Sequence, residues 1–138
     1  MILNGLSAER PVSMIEASCH CGAIRLEIKQ ELKSVTECNC SICRRLGAQW
    51  AYFRPDEVKV VSTGEGTGIY MWNDKEIEFH HCRNCGCTTH YESLGENPRR
   101  AVNARLIAIE HVRGTPVRRF DGASTFQALV DDPPRLVE

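Results

Sequence analysis

The sequence predicts a mainly β domain with little helix, tied together by metal, and three observations carry that reading. Apolar residues recur at every second position, turn residues break the chain into short segments, and eight cysteines gather in three tight clusters. The clearest alternation sets Ile24, Leu26 and Ile28 against Arg25, Glu27 and Lys29, the pattern of a strand with one buried face. Similar short segments follow at 49–53, 58–61, 68–72, 77–81, 88–92 and 101–105. Asn73-Asp74 reads as a hairpin tip between Tyr70-Met71-Trp72 and Ile77-Glu78-Phe79, and Gly64 with Gly66 marks another reversal. The one helical turn expected follows Ser41, whose hydroxyl is placed to cap it.

At 138 residues the chain has room for one domain with a modest core. Its 42% hydrophobic and 25% charged residues are ordinary for a globular protein and exclude a fibrous or disordered chain. The formal net charge is -1, with a pI of about 6.5, so no overall basic field exists to hold a nucleic-acid backbone. Met1 to Glu16 lacks the apolar core of a secretory signal, and no stretch approaches the ~20 apolar residues of a membrane span. The expectation is a cytoplasmic protein without membrane contact, with an irregular head and a loosely attached, proline-containing tail.

The cysteines are Cys19 and Cys21, then Cys38, Cys40 and Cys43, then Cys82, Cys85 and Cys87. Neighbours within a cluster are too close in sequence to bridge without strain, and a chain without an export signal keeps its thiols reduced. Metal is therefore the expected role, and zinc the expected metal. In extended backbone, residues i and i+2 face the same way, so each C-x-C can offer two thiolates to one ion. Cys82-Arg83-Asn84-Cys85-Gly86 reads as a zinc knuckle, with Gly86 supplying a backbone conformation that side chains disfavour.

Four-ligand preference then pairs Cys19 and Cys21 with Cys82 and Cys85 in a closed structural site. Cys38, Cys40 and Cys43 remain as a second site. Three protein thiolates leave one zinc position open to water or to a substrate thiol, the arrangement of a catalytic site. Cys87 could instead supply a fourth sulfur, and spacing alone leaves the open and closed readings both standing. Cys87 could equally be a buried thiol or a redox partner.

Several motifs together resemble the glutathione-dependent formaldehyde-activating enzyme family, which also includes proteins related to centromere protein V. They are Ser18-Cys19-His20-Cys21-Gly22-Ala23-Ile24, Cys38-Asn39-Cys40-Ser41-Ile42-Cys43-Arg44-Arg45, Phe79-His80-His81-Cys82-Arg83-Asn84-Cys85-Gly86-Cys87, Val102-Asn103-Ala104-Arg105 and Phe120-Asp121-Gly122. The resemblance implies an Mss4-like fold of several coiled antiparallel sheets. Its motif limits divide the chain into an irregular segment 1–13, a zinc-binding domain 14–125 and a tail 126–138. It also implies structural zinc at Cys19, Cys21, Cys82 and Cys85, and chemistry at zinc on Cys38, Cys40 and Cys43, which favours the open reading.

The implied activity joins formaldehyde, or a similar small aldehyde, to glutathione or another low-molecular-weight thiol, formally a carbon-sulfur lyase reaction in reverse. Three thiolates on Zn²⁺ leave a net charge of about -1, and a substrate thiolate makes it about -2. Arg44 and Arg45 follow at once and can offset that charge or bind a glutathione carboxylate, although a solvated basic pair explains them equally well. His80, His81 and His90 are candidate acids, bases or ligands, with structural roles the simpler expectation; alternation sends His80 and His81 to opposite faces. Trp50 with Tyr52, and Tyr70 with Trp72, have same-face spacing that suits core packing better than a pocket wall.

Two other functions fit parts of the pattern. A non-catalytic zinc module would bind a protein or nucleic acid, for which Arg113, Arg118 and Arg119 form only a small basic cluster. A zinc-storage or redox-sensing protein would release the second ion when its cysteines oxidise.

Overall fold

The computed structural model describes residues 14–72 and 75–138. Expectations for 1–13 and for the Asn73-Asp74 hairpin tip lie outside the described residues. The strands are β1 (Ile15–Ser18), β2 (Ile24–Ile28), β3 (Val35–Cys38), β4 (Trp50–Phe53), β5 (Val58–Ser62), β6 (Thr67–Tyr70), β7 (Ile77–Cys82), β8 (Thr88–Ser93), β9 (Arg100–Asn103), β10 (Pro116–Phe120), β11 (Ala128–Leu129) and β12 (Arg135–Leu136). Two short helices, α1 (Ser41–Leu46) and α2 (Ile109–Val112), complete a mainly β architecture.

A three-stranded sheet runs β1-β2-β5, and a larger one runs β11-β10-β3-β4-β9-β8-β7-β6 with β12 also paired to β10. Pairing is antiparallel except between β3 and β10, which run parallel with Val117 opposite Val35. Neither β1, β3 nor β10 stands out in the sequence. Each is four or five residues long and carries too few alternating apolar positions to be distinguished from loop.

Alternation along β4 divides the core. Ala51 and Phe53 join Leu26 and Ile28 of the small sheet, with Val35 and Val102, in one apolar cluster. Trp50, Tyr52, Phe79 and Tyr91 form a second cluster on the other face, against Cys43 of α1. Trp50 meets Tyr91 edge-on at 4.9 Å between ring centroids, and Tyr52 packs on the same ring. Tyr70 and Trp72 do not share this fate. They are 53% and 39% exposed, Tyr70 at the end of β6, the edge strand among the described residues, and Trp72 just beyond it.

The last residues are fastened, contrary to the loose tail expected. β11 and β12 both add to β10, Asp131 is ion-paired with Arg119 at 2.7 Å, and Arg135 with Glu37 at 2.9 Å. The helix expected after Ser41 begins at Ser41 itself, but the capping position is Cys40, and no side chain supplies the cap hydrogen bond. Gly47, at φ 65°, ends it with its N–H on the Cys43 carbonyl oxygen.

Candidate metal centres and thiol site

All eight cysteines are free of disulfides. The turn after β1 brings Cys19 and Cys21 to the knuckle between β7 and β8, where Cys82 and Cys85 project. The four sulfurs lie within 4.8 Å of one another. Cys21 Sγ is 3.7 Å from Cys19 Sγ and 3.6 Å from Cys82 Sγ. Thiolates ~2.3 Å from a tetrahedral zinc stand roughly 3.8 Å apart, so this donor set fits the ion. Backbone N–H groups already face these sulfurs: Ile24 N–H donates to Cys19 Sγ, and Asn84 N–H to Cys82 Sγ, each at 3.3 Å. Gly86 takes the positive φ, 83°, that the knuckle requires.

The protein polarises these thiols unequally. Burial raises the Cys19 thiol to about 11. Cys85 is lowered to about 5, first by the Cys87 N–H and then by the Cys21 N–H. Cys87 packs beside Cys19, Ile24 and Cys82. It therefore sits with the first cluster and does not extend the second.

The second cluster is made by the end of β3 and the start of α1. Cys38, Cys40 and Cys43 bring three sulfurs within 4.8 Å of one another, a group that could hold a metal ion. Burial raises Cys43 well above its ordinary range, although the Trp50 indole N–H donates to its sulfur at 3.4 Å. Cys38 is raised too, chiefly by burial. For Cys40 burial is again the largest influence, but the backbone N–H groups of Cys43 and Ile42 beside its sulfur, with the neighbouring thiols, outweigh it and lower the thiol. That is the effect of standing at the cap of α1, where unpaired N–H groups converge.

Asn39, between Cys38 and Cys40, is held at both ends of its amide: Nδ2 donates to Asp121 Oδ1 at 3.1 Å and Oδ1 accepts from Ala123 N–H at 3.0 Å. Asp121 in turn accepts from Ser124 N–H, Thr125 N–H and the Thr125 hydroxyl. Gly122 brings this loop against the cluster. The Phe120-Asp121-Gly122 motif thus organises the second site, a role spacing alone did not reveal.

A cavity of about 260 Å³ opens beside these cysteines, bordered by Cys38, Cys43, Glu37, Arg44, Arg105, Arg119 and Leu129 among others. The two arginines of the sequence motif part company here. Arg44 lines the cavity, whereas Arg45 turns back to donate to the Ser41 carbonyl oxygen at 2.9 Å. Arg105 donates to the Gly47 carbonyl oxygen at 2.6 Å, so the Val102-Asn103-Ala104-Arg105 motif reaches the site from β9. Arg118 donates to the Thr36 hydroxyl and Arg119 is bound to Asp131, which leaves little of the basic cluster noted at the end of the sequence. A larger cavity, about 1040 Å³, lies between α2 and the tail and touches none of the cysteines.

Residues 14–116 match the model of the glutathione-dependent formaldehyde-activating enzyme family. The chain belongs to that family. It is also similar to a Rhodobacter sphaeroides protein of known crystal structure, with 30% identity and a TM-score of 0.60 over 67% of this chain and 86% of that one. The family match ends within β10, so β11, β12 and the Asp121 loop lie beyond it. Among the described residues no helix is long and apolar enough to cross a membrane.

His80 and His90 fall in neither sulfur group. His80 stacks on His90, with ring centroids 4.3 Å apart. The His81 ring instead lies against Gly68, where a Cβ would meet it at 2.5 Å. Burial, the largest influence, holds His90 below the ordinary histidine range despite the neighbouring Glu92.

Proposed function

We propose that this chain joins a small aldehyde to a low-molecular-weight thiol, formaldehyde and glutathione in the first instance, at Cys38, Cys40 and Cys43. Zinc at Cys19, Cys21, Cys82 and Cys85 has a structural role. One observation carries this reading: three sulfurs converge beside an arginine-lined cavity, while the other four meet in a complete set and Cys87 stands with them.

Cys38, Cys40 and Cys43 would hold the zinc ion, which would supply a site for a substrate sulfur and favour its thiolate form near neutral pH. The chain's own residues do the positioning. Trp50 fixes Cys43, and the Asn39–Asp121 contact fixes the backbone between Cys38 and Cys40. Arg44 makes no ion pair among the described residues, so its guanidinium is free to take a substrate carboxylate, of which glutathione has two. Arg105 and Arg119 border the same cavity, each already paired with a carboxylate, Glu37 and Asp131.

The reaction is balanced without a redox partner. The sulfur electron pair forms the C–S bond to the carbonyl carbon, the C=O π pair moves to oxygen, and that oxygen takes up one proton. Binding both reactants in one cavity supplies the gain, since addition of thiols to aldehydes proceeds unaided at a moderate rate.

The test is the rate of thiol-aldehyde adduct formation, followed by NMR, with wild type and Cys40→Ser. Wild type accelerates the reaction and the variant does not. Equal rates in both, matching the uncatalysed reaction, would remove the proposed activity.

A further inference from the structure

On the face of the large sheet opposite Phe79 and Tyr91, a different set of donors converges. Glu78 and His80 occupy alternate positions of β7, and His90 and Glu92 alternate positions of β8. The register sets His80 across from His90 and Glu78 across from Glu92, so all four share one face. One ring nitrogen of His80, one of His90 and a carboxylate oxygen of Glu92 lie within 4.8 Å of one another.

Each of these side chains is already aligned by a neighbour. The Thr89 hydroxyl stands 2.9 Å from His90 Nδ1 and 3.3 Å from the His80 carbonyl oxygen. Glu92 Oε2 is 3.4 Å from His90 Nε2, so that nitrogen is the one turned toward the carboxylate. His90 is 1% exposed, so the group lies inside the protein.

The geometry points to a divalent transition-metal site on His80, His90 and Glu92, separate from both cysteine clusters. Two imidazoles and a carboxylate are a donor set for zinc and related ions rather than for calcium or magnesium. The outer contacts are also in place. Thr67 Oγ1 is 2.7 Å from His80 Nδ1, the counterpart of Thr89 on His90, and such partners orient metal-binding imidazoles. Glu78 Oε1, 3.2 Å from His80 Nε2, stands next to the group as a further oxygen. Arg100 donates to both Glu92 oxygens and is itself anchored on the Val58 carbonyl oxygen, so it steadies the carboxylate.

The test titrates zinc into the full ¹⁵N-labelled chain while imidazole nitrogens are followed by NMR, which reads this site without reference to the thiols. The predicted result is a saturable shift of a ring nitrogen in both His80 and His90. Dialysed wild type then retains one more equivalent of zinc than His80→Gln, and His111→Gln, at an exposed position, matches wild type. Histidine nitrogens indifferent to zinc, or equal zinc content in wild type and His80→Gln, would overturn the site.

Discussion

A side chain on Gly122 would place its Cβ 2.6 Å from Cys38 Sγ and 3.3 Å from Cys40 Cβ. Gly122 is not among the positive-φ glycines, so this contact, and not backbone conformation, excludes a side chain. Gly122→Ala is expected to cost about 1–3 kcal/mol through overpacking. It should lower metal affinity at the three-cysteine cluster by at least about tenfold, as disturbed support of metal ligands does elsewhere. Zinc retention during dialysis against a chelator checks this, and the four-cysteine site serves as internal reference.

The two clusters should differ in what their loss does to the fold. Cys82 is 1% exposed and its site joins β1, β7 and β8, whereas Cys40 belongs to one short segment. Cys82→Ser is expected to abolish a cooperative thermal transition, because site formation and folding are coupled. Cys40→Ser should keep that transition within a few degrees, roughly 1 kcal/mol. Calorimetry distinguishes them.

Arg44 and Arg45 are neighbours in sequence with different environments, and kinetics should separate them. Arg44→Gln is expected to raise KM for glutathione about tenfold, the loss of roughly 1.4 kcal/mol from a charge-assisted contact. Arg45→Gln, whose parent side chain donates to the Ser41 carbonyl oxygen, should leave KM within about twofold.

The tail should loosen in acid. The Arg119 guanidinium, the largest influence, holds the Asp131 carboxyl below its usual range. A carboxyl with a lowered folded pKa stabilises the folded tail above its unfolded pKa, ~3.9, and loses that effect as pH falls through the folded value. Leu129 pairs with Arg119 in the sheet, so its amide reports the clasp. Amide exchange at Leu129 is expected to be faster in Asp131→Asn than in wild type near neutrality, with the difference vanishing as acid protonates Asp131.

Local chemistry made much of this molecule legible from sequence. Ile24, Leu26 and Ile28 are fully buried, as their alternation required, while Arg25 and Glu27 are less so. The C-x-C and C-x-x-C spacings mark local pairs and a local trio of sulfurs, which need no knowledge of tertiary structure, whereas the meeting of Cys19 and Cys21 with Cys82 and Cys85 depends on the fold. Positions that depend on distant pairing were hidden. Gly122 meets Cys38 only because β10 lies parallel to β3, and Arg105 meets the Gly47 loop only because β9 pairs with β4. The exposed Tyr70 and Trp72 show the converse: same-face spacing identified their common side without saying whether anything would cover it.

The most direct measurement is the absorption of Co²⁺-loaded protein as glutathione is added. If the three-cysteine cluster accepts an incoming thiol, thiolate-to-metal charge-transfer absorption rises and saturates as its sulfur count goes from three to four, and Cys40→Ser shows no such rise. A spectrum unmoved by glutathione in the fully loaded wild type would contradict a thiol site at Cys38, Cys40 and Cys43.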